Sequence, residues 1–322
     1  MKLVRSYAYL KKDLNTIESA LESTVIAEHK ILHEASLQLL KAGGKRLRPV
    51  FALLASKFGN ASNERVTNVA STLELIHMAS LVHDDVIDNS NLRRGKPTVK
   101  AKWDNRIAMF SGDFIFARAL ERFTTVEDKK AHEVLSHTMI ELTLGEIEQI
   151  KDKHNFDQNL RTYLRRIKRK TALLISSSCQ LGAIAGRCSP QIEKALFRYG
   201  YFIGMSYQII DDILDFTATE AQLGKPAGSD LLQGNITLPV FYAIENSELK
   251  QDLIHYFHKN NNDEISFSEL LNRIKESNAI ERSRELSNQY LQKAYDSLAY
   301  VPECKAKDTL LDIANYIGAR QI

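Results

Sequence analysis

Two clusters of aspartates repeat one pattern and are the residues of this chain best suited to chemistry. They read Asp84-Asp85-Val-Ile-Asp88 and Asp211-Asp212-Ile-Leu-Asp215. On a helix, residues four positions apart lie on one face, so each cluster brings two like charges together at a cost in stability. Each cluster is also predicted near a helix C-terminus, where the helix dipole is negative. A bound cation would offset both penalties, and carboxylate oxygens suit Mg²⁺, which keeps several waters and bridges to phosphates.

Each acidic cluster follows a long apolar segment. LELIHMASLVH precedes the first cluster and YFIGMSYQII precedes the second. A solvated acidic helix end is an equally good interpretation of either cluster alone. An exposed helix would not be so apolar directly before its acidic end. We therefore expect the six carboxylates to line the mouth of a buried apolar space.

Basic residues that could match a bound diphosphate occur in two short segments. Lys45 and Arg48 lie three positions apart in GGKRLRP, where a helix is predicted to start near Pro49 and a helix N-terminus favours anions. Arg93 and Arg94 follow the first acidic cluster, and guanidinium groups bind phosphate through two hydrogen bonds. A basic surface turn, or a salt bridge to the neighbouring aspartates, is the alternative interpretation.

A third basic segment runs from Arg161 to Lys170 and leads into Thr171. It carries six basic residues. Such a run is usually a solvated face, and a membrane-surface or nucleic-acid patch is an alternative. We expect only its last residue, Lys170, to point inward.

The pattern of apolar residues predicts an all-α protein. The chain has six prolines, and between Pro97 and Pro190 it has none; this interval carries apolar residues at helical spacing. We predict ten or more helices and no sheet, with long helices from about Glu64 to about Asp88 and from about Gln191 to about Phe216. Residues 1–322 are predicted to form a single domain, with residues 258–264 as a surface loop.

Composition excludes several classes of protein. The formal net charge of +3 creates no general attraction to nucleic acid. Three scattered cysteines have no zinc or redox spacing, which favours a reducing, cytoplasmic location. The first residues turn polar too soon for a secretory signal, and no apolar run approaches the roughly 18 residues that span a bilayer. Any contact with a membrane would therefore be peripheral, for release of an apolar product.

Five motifs carry a family resemblance. GGKRLRP, LVHDDVIDNSNLRRGKPT, RKTA, SYQIIDDILDF and GKPAGSDLLQGNITLP, in this order, resemble the trans-polyprenyl diphosphate synthases. Within that family the chain is similar to the catalytic component II subunits of bacterial heptaprenyl diphosphate synthases. The resemblance implies a helical bundle around a central cavity. It also implies a Mg²⁺-dependent enzyme that condenses isopentenyl diphosphate onto an allylic diphosphate, with farnesyl diphosphate as the expected primer.

The resemblance also implies roles for individual residues. Asp84 and Asp88, supported by Asp85, would bind Mg²⁺ and through it the allylic diphosphate; a further Mg²⁺ would be held by Asp211, Asp212 and Asp215. The allylic diphosphate would be contacted by Arg93, Lys170 and Lys225. Isopentenyl diphosphate would be bound by Lys45, Arg48, His77 and Arg94. Thr171 and Gln208 would lie beside the reacting carbon, so that the predicted catalytic residues are Lys170, Thr171, Gln208, Asp84 and Asp88.

Product length is predicted from two small residues. Ala79 and Ser80 lie about one helical turn, roughly 5.4 Å, before Asp84. In the family this position limits chain length, so small side chains imply a long product. We expect heptaprenyl diphosphate, for the menaquinone side chain, with hexaprenyl and octaprenyl diphosphate as alternatives. The alternative interpretation is that the two small residues only allow close packing of helices.

The sequence leaves open the roles of two single histidines and the identity of a partner subunit. A lone histidine on an apolar helix, such as His77, is more often a core residue than a ligand. His83 is predicted either to support the neighbouring aspartates or to be structural. The resemblance implies either a dissimilar small regulatory subunit, component I, or a homodimer.

Three other functions are weighed against this one. A terpene cyclase needs one diphosphate site and has no use for the second aspartate cluster. A metal phosphohydrolase would use His83-Asp84 as an HD dyad, but the Asp211 cluster has no histidine nearby. A non-catalytic partner subunit would be expected to lose an acidic cluster, and both are intact.

Overall fold

The structure is a computed structural model that describes residues 8–41, 43–60, 62–93, 95–219, 226–258 and 266–319. These residues are helical apart from one short two-stranded ribbon, which confirms the all-α prediction. They divide into two compact units, the first within Met1–His137, Leu174–Gly200 and Ser297–Ile313, and the second within Thr138–Leu173, Tyr201–Asp296 and Ala314–Ile322. The single domain and the central cavity stay predictions.

Sixteen α-helices lie in the described part of the chain, so the prediction of ten or more is confirmed. In chain order they are α1 Lys11–Thr24, α2 Lys30–Lys41, α3 Leu47–Ser56, α4 Asn63–Ile87, α5 Val99–Lys102, α6 Asn105–Phe123, α7 Lys129–Lys151, α8 Leu160–Ile167, α9 Leu173–Ala185, α10 Pro190–Thr217, α11 Ser229–Leu232, α12 Leu238–Ala243, α13 Ser247–His258, α14 Phe267–Glu276, α15 Ala279–Leu298 and α16 Lys305–Gly318. A 3-10 turn at Ala8–Leu10 precedes α1, and a π-helical turn at Lys168–Ala172 joins α8 to α9.

Helix α4 is the central helix of the first unit. It packs against α1, α3 and α6, and its side chains are buried along most of its length. The Ser62 side chain caps its start by accepting from the Arg65 N–H at 3.4 Å, as N-cap serines do. Asp88 closes its end, since the Asp88 N–H donates to the Asp84 carbonyl at 2.8 Å. The predicted long apolar helix that carries the first acidic cluster at its C-terminus is therefore confirmed.

The prediction of no sheet is wrong at one place. Strands β1, Leu92–Arg93, and β2, Lys96–Pro97, pair antiparallel with Leu92 opposite Pro97 and Arg93 opposite Lys96. Gly95 takes φ +73° in the connecting turn, a conformation that glycine adopts without steric cost. The ribbon is too short to show an alternating pattern in the sequence.

The second unit is organised by the C-terminal half of α10. The residues of α8 and α10 share a buried apolar cluster that includes Tyr163, Ile167, Ile209 and Ile213. Phe216 belongs to another cluster with side chains of α11 to α14. Helix α10 ends at Thr217, one residue beyond the predicted end. Within the described ranges, no helix combines the length and the apolar character needed to cross a membrane.

Candidate active site

The first acidic cluster presents two of its three carboxylates on one stripe of α4. Asp84 and Asp88 are half-buried, as are His77 and Ser80. These four residues follow one another at spacings of three and four, which places them on one face of the helix. The Ser80 hydroxyl donates to the His77 carbonyl at 2.8 Å. The structure therefore groups the predicted metal ligands Asp84 and Asp88 with His77 and with one of the two predicted chain-length residues; the other, Ala79, is fully buried.

Asp85 takes a different position from its neighbours. It is 2% exposed and accepts from Arg93 Nε at 2.8 Å, with Arg93 Nη2 2.7 Å from the same oxygen. Burial raises the pKa of Asp85, and the Arg93 guanidinium opposes that shift. The pair attaches the β1–β2 ribbon to the end of α4 and holds Arg93 beside the acidic cluster. Arg94 lies outside the described residues.

A part-buried arginine, Arg46, holds the basic segment between α2 and α3. Arg46 pairs with Glu18 at 2.6 Å and with Glu74 at 3.0 Å, and it also donates to the Leu40 carbonyl at 3.1 Å. Arg46 lies in the left-handed region, at φ 48°, which costs energy in a residue other than glycine. These bonds fix the turn on α1 and α4. Lys45 is exposed and Arg48 part-buried on either side of this anchor.

In the second cluster Asp212 is engaged by the protein itself. Asp212 is 3% exposed, and its two oxygens accept from Gln208 Nε2 at 2.8 Å and from the Tyr163 hydroxyl at 2.7 Å. Burial raises the pKa of Asp212 to about 7, against the effect of those two hydrogen bonds. Burial also raises the pKa of Tyr163 well above its usual value, so Tyr163 stays a donor.

Asp215 is likewise engaged, and two neighbouring carboxylates are accessible to solvent. Asp215 is 1% exposed and accepts from the Ser229 hydroxyl at 3.1 Å and from the Asp230 N–H at 3.2 Å. Asp211 is exposed and Asp230 part-exposed. The charge of Asp230 acts on Asp212, so Asp230 is a fourth carboxylate of this cluster. Lys225 lies outside the described residues.

The π-helical turn carries two of the predicted catalytic residues. The Thr171 hydroxyl donates to Gln208 Oε1 at 2.6 Å, so the structure brings this predicted pair together. Lys170 Nζ donates to Glu146 Oε2 at 3.0 Å. A Cβ added to Gly145 would lie 2.8 Å from Arg169 Cβ, so the glycine allows α7 to approach this turn. π-Helical turns occur frequently at functional sites because they re-aim side chains.

The prediction that only Lys170 of the basic run points inward is wrong. Arg166 is 6% exposed and donates to Gln158 Oε1 at 3.0 Å and to the Ile236 carbonyl at 2.5 Å. Both acceptors lie outside helix α8, so the pattern of charges within the helix does not predict that Arg166 is buried. Lys170 is part-buried rather than buried.

His83 has a structural place, as predicted. Its Nε2 lies 3.3 Å from Asp113 Oδ1 and 3.2 Å from the Met109 carbonyl of α6. These contacts direct the ring towards α6, and a Cβ on Gly112 would meet it at 2.2 Å. These contacts pair His83 with α6 and do not form an HD dyad with Asp84.

Sequence reasoning missed four residues of this region. They are Arg46, Tyr163, Gly204 and Asp230. Gly204 had a readable signal, since a glycine within an apolar helix usually has a packing reason. Asp230 could also have been found from the sequence, since it is the acidic residue of GSDLL, fifteen positions beyond Asp215. Tyr163 had no signal, because its partner lies 49 residues away.

The donor chemistry suits a hard divalent cation. Both clusters offer carboxylate oxygens, the ligands that Mg²⁺ prefers. In the described part of the chain, no three His, Cys, Asp or Glu side chains converge into a ready-made metal site. Mg²⁺ does not need such a cage, since it is usually held by one or two carboxylates together with substrate phosphates and water.

Comparison with known proteins decides the family. The pattern of the polyprenyl synthetase family matches residues 29–274. The chain belongs to the polyprenyl synthetase family. It is 57% identical over 324 residues to heptaprenyl diphosphate synthase component 2 of Bacillus subtilis, covering 100% of this chain and 92% of the relative. Among solved structures, heptaprenyl diphosphate synthase from Staphylococcus aureus is 41% identical with a TM-score of 0.92, covering 97% of this chain and 98% of the other.

Membership gives the fold and the type of reaction. Polyprenyl synthetases have the all-α isoprenoid synthase fold and condense isopentenyl diphosphate onto allylic diphosphates, so the chain is a trans-prenyltransferase. Enzymes of this family depend on a divalent metal. A polyprenyl synthase structure from Caulobacter crescentus is complexed with calcium and isoprenyl diphosphate; it is 30% identical with a TM-score of 0.91 and covers 100% of this chain and 98% of the other.

Proposed function

We propose that this polyprenyl synthetase extends farnesyl diphosphate to heptaprenyl diphosphate, for the menaquinone side chain, with Mg²⁺ as its metal. The observation that carries the proposal is the stripe of Asp84 and Asp88 at the end of buried α4, with Arg93 fixed beside it by Asp85. Carboxylates that can hold a hard cation thus lie next to a guanidinium that can bind phosphate. The identity to the Bacillus subtilis protein supports the heptaprenyl product.

The metal ligands are assigned to the aspartates whose carboxylates are accessible to solvent. In the first cluster Asp84 and Asp88 bind Mg²⁺, and Asp85 supports them by holding Arg93. In the second cluster the accessible carboxylates of Asp211 and Asp230 bind Mg²⁺, and Asp215 fixes the segment that carries Asp230. Bound Mg²⁺ supplies positive charge that stabilises the departing diphosphate.

The basic residues divide between the two substrates. Arg93, Lys170 and Lys225 bind the allylic diphosphate, and Lys45, Arg48, His77 and Arg94 bind isopentenyl diphosphate. The allylic C–O bond breaks, the double bond of isopentenyl diphosphate forms the new C–C bond, and a proton passes to the departed diphosphate. Thr171 and Gln208 direct oxygen dipoles at the carbon that carries positive charge.

A second polypeptide is part of the proposal. The Bacillus subtilis relative is named component 2, and we propose that this chain also works with a dissimilar small subunit. Ile140, Leu144 and Ile147 of α7 are exposed at helical spacing, and exposed apolar groups of this kind mark protein interfaces. A homodimer is the alternative. We place the enzyme in the cytoplasm, where the free thiols of Cys179, Cys188 and Cys304 would persist.

Release of diphosphate as a function of Mg²⁺ tests the proposal. The wild-type chain, co-expressed with its small subunit and given farnesyl and isopentenyl diphosphates, should release diphosphate only when Mg²⁺ is present. Asp84→Asn and Asp211→Asn should each raise the half-saturating Mg²⁺ concentration and lower kcat by at least about 100-fold. Asp113→Asn, on α6, is the matched control and should leave both quantities near wild type. Equal activity of wild type and Asp84→Asn would contradict the proposal.

A further inference from the structure

Four side chains of the second unit form one continuous chain of hydrogen bonds. The Thr171 hydroxyl donates to Gln208 Oε1 at 2.6 Å, and Gln208 Nε2 donates to Asp212 Oδ1 at 2.8 Å. The Tyr163 hydroxyl donates to Asp212 Oδ2 at 2.7 Å. All three distances lie in the range of strong, well-formed hydrogen bonds. The chain thus links α8, the π-helical turn and α10.

The direction of this chain is fixed from its Asp212 end. Asp212 Oδ1 accepts a hydrogen bond whether Oδ2 is ionised or carries a proton, so Gln208 must turn its amide NH₂ towards Asp212. Its amide oxygen then faces Thr171, and the Thr171 hydroxyl hydrogen points at that oxygen. The lone pairs of the Thr171 oxygen are therefore directed away from Gln208. In this way the buried Asp212 side chain fixes the direction of the Thr171 hydroxyl, two hydrogen bonds away.

The surrounding packing keeps the chain rigid. Tyr163 is 1% exposed and lies in the apolar cluster with Ile167 and Ile209. A Cβ added to Gly204 would lie 2.5 Å from Ala172 Cα. This close approach of α10 to the π-helical turn, one helical turn before Gln208, brings Thr171 within reach of the Gln208 amide.

We propose that Tyr163 and Asp212 are positioning residues that act through Gln208 to fix the orientation of the Thr171 hydroxyl. The oxygen lone pairs of Thr171, rather than its hydrogen, then face the carbon that becomes positive during prenyl transfer. Asp212 accordingly anchors Gln208 and does not bind the metal, although it lies in the middle of an aspartate cluster. The inference deepens the proposed function and rests on it for the identity of the reacting carbon.

Metal binding separates the two roles of an aspartate without requiring turnover. Calorimetry of Mg²⁺ binding, with inorganic diphosphate present, is compared for wild type, Asp212→Asn and Asp211→Asn. We expect Asp212→Asn to bind Mg²⁺ within about twofold of wild type and Asp211→Asn to bind at least about tenfold more weakly. Weakening by Asp212→Asn equal to that of Asp211→Asn would overturn the inference. Absence of prenyl transfer by the wild-type chain together with its small subunit would contradict the proposed function, while this comparison would still decide the role of Asp212.

Kinetics of combined variants test the direction of the chain. In Asp212→Asn, the new amide oxygen accepts from Gln208 and its NH₂ donates to the Tyr163 oxygen, so the direction survives and this single variant is the reference for the double variant. Tyr163→Phe added to Asp212→Asn removes that acceptor and frees the amide to turn. We expect kcat to fall roughly 10-fold to 100-fold further, with KM for both substrates within about twofold.

The matched control is Tyr199→Phe. Tyr199 is 0% exposed, and its hydroxyl donates to the Leu310 carbonyl at 2.6 Å, so this change also removes one buried hydroxyl bond. In the Asp212→Asn background it should lower stability by a similar amount and leave kcat unchanged. A fall in kcat no larger for Tyr163→Phe than for Tyr199→Phe would overturn the inference.

Discussion

Arg93 is fixed on Asp85 through two nitrogens, with Nε 2.8 Å and Nη2 2.7 Å from Asp85 Oδ1. Asp85 is almost fully buried, while the Arg93 side chain is 28% exposed. The carboxylate therefore holds one edge of the guanidinium at the end of α4, while part of the group stays exposed. A lysine cannot reproduce this forked geometry, although it keeps the charge.

Arg93→Lys should raise KM for farnesyl diphosphate about tenfold, equivalent to about 1.4 kcal/mol of binding. The charge remains, but the fork that orients it on phosphate is lost. Initial rates at varied farnesyl diphosphate measure the effect. Arg106→Lys, an exposed arginine on α6, is the control and should behave as wild type. An unchanged KM in Arg93→Lys would remove Arg93 from the binding site.

Arg46→Met should lower the free energy of unfolding by about 3 kcal/mol, because it leaves the buried Glu74 carboxylate without its ion pair. Glu74 is 4% exposed. Urea denaturation measures the change. Lys57→Met is the matched control: Lys57 pairs with Asp13 at 2.8 Å with a side chain 40% exposed, and its loss should cost less than about 1 kcal/mol. Equal costs would show that Arg46 does not anchor the basic segment.

Ser80→Phe should shorten the product. Ser80 lies on the α4 stripe about one helical turn, roughly 5.4 Å, from Asp84, where a phenyl ring would obstruct a growing chain. Ser80→Ala removes the same bond to the His77 carbonyl without adding bulk, so it should keep the wild-type product. Chromatography of the dephosphorylated products measures chain length. Identical products from the two variants would contradict the assignment of this position.

The metal-free protein should lose stability as pH rises towards 7. Burial raises the pKa of Asp212 from 3.8 to about 7, so the folded chain holds this proton more tightly than the unfolded chain does. The stabilising contribution is complete below the unfolded value and is lost as pH rises through the folded value. Urea unfolding in chelator at about pH 5 and about pH 8 should therefore show a smaller difference for Asp212→Asn than for wild type. Asp312→Asn, at an exposed position on α16, should keep the wild-type difference.

Sequence patterns predicted those helices that are determined by the residues within the helix itself. The apolar runs before Asp84 and Asp211 placed α4 and α10 to within about two residues, because a long buried helix needs such a run. The Thr171 and Gln208 pair was implied by the family resemblance, and the structure brings it together.

Two of the errors share one physical cause, which is that a partner outside the local segment decides the outcome. Arg166 is buried because Gln158 and the Ile236 carbonyl accept from it, and a charge run cannot reveal such partners. Tyr163 acquires its role from Asp212, 49 residues away. The ribbon depends on the conformation of Gly95 and on pairing over two residues.

Mass spectrometry of the product formed from farnesyl diphosphate, isopentenyl diphosphate and Mg²⁺ tests the central claim most directly. The reaction is run with and without a co-expressed dissimilar small subunit. We expect heptaprenyl diphosphate as the main product of the complete enzyme, and none from Asp84→Asn assayed beside it. Farnesyl diphosphate that is left unextended, cyclised or merely hydrolysed by the complete enzyme would contradict it.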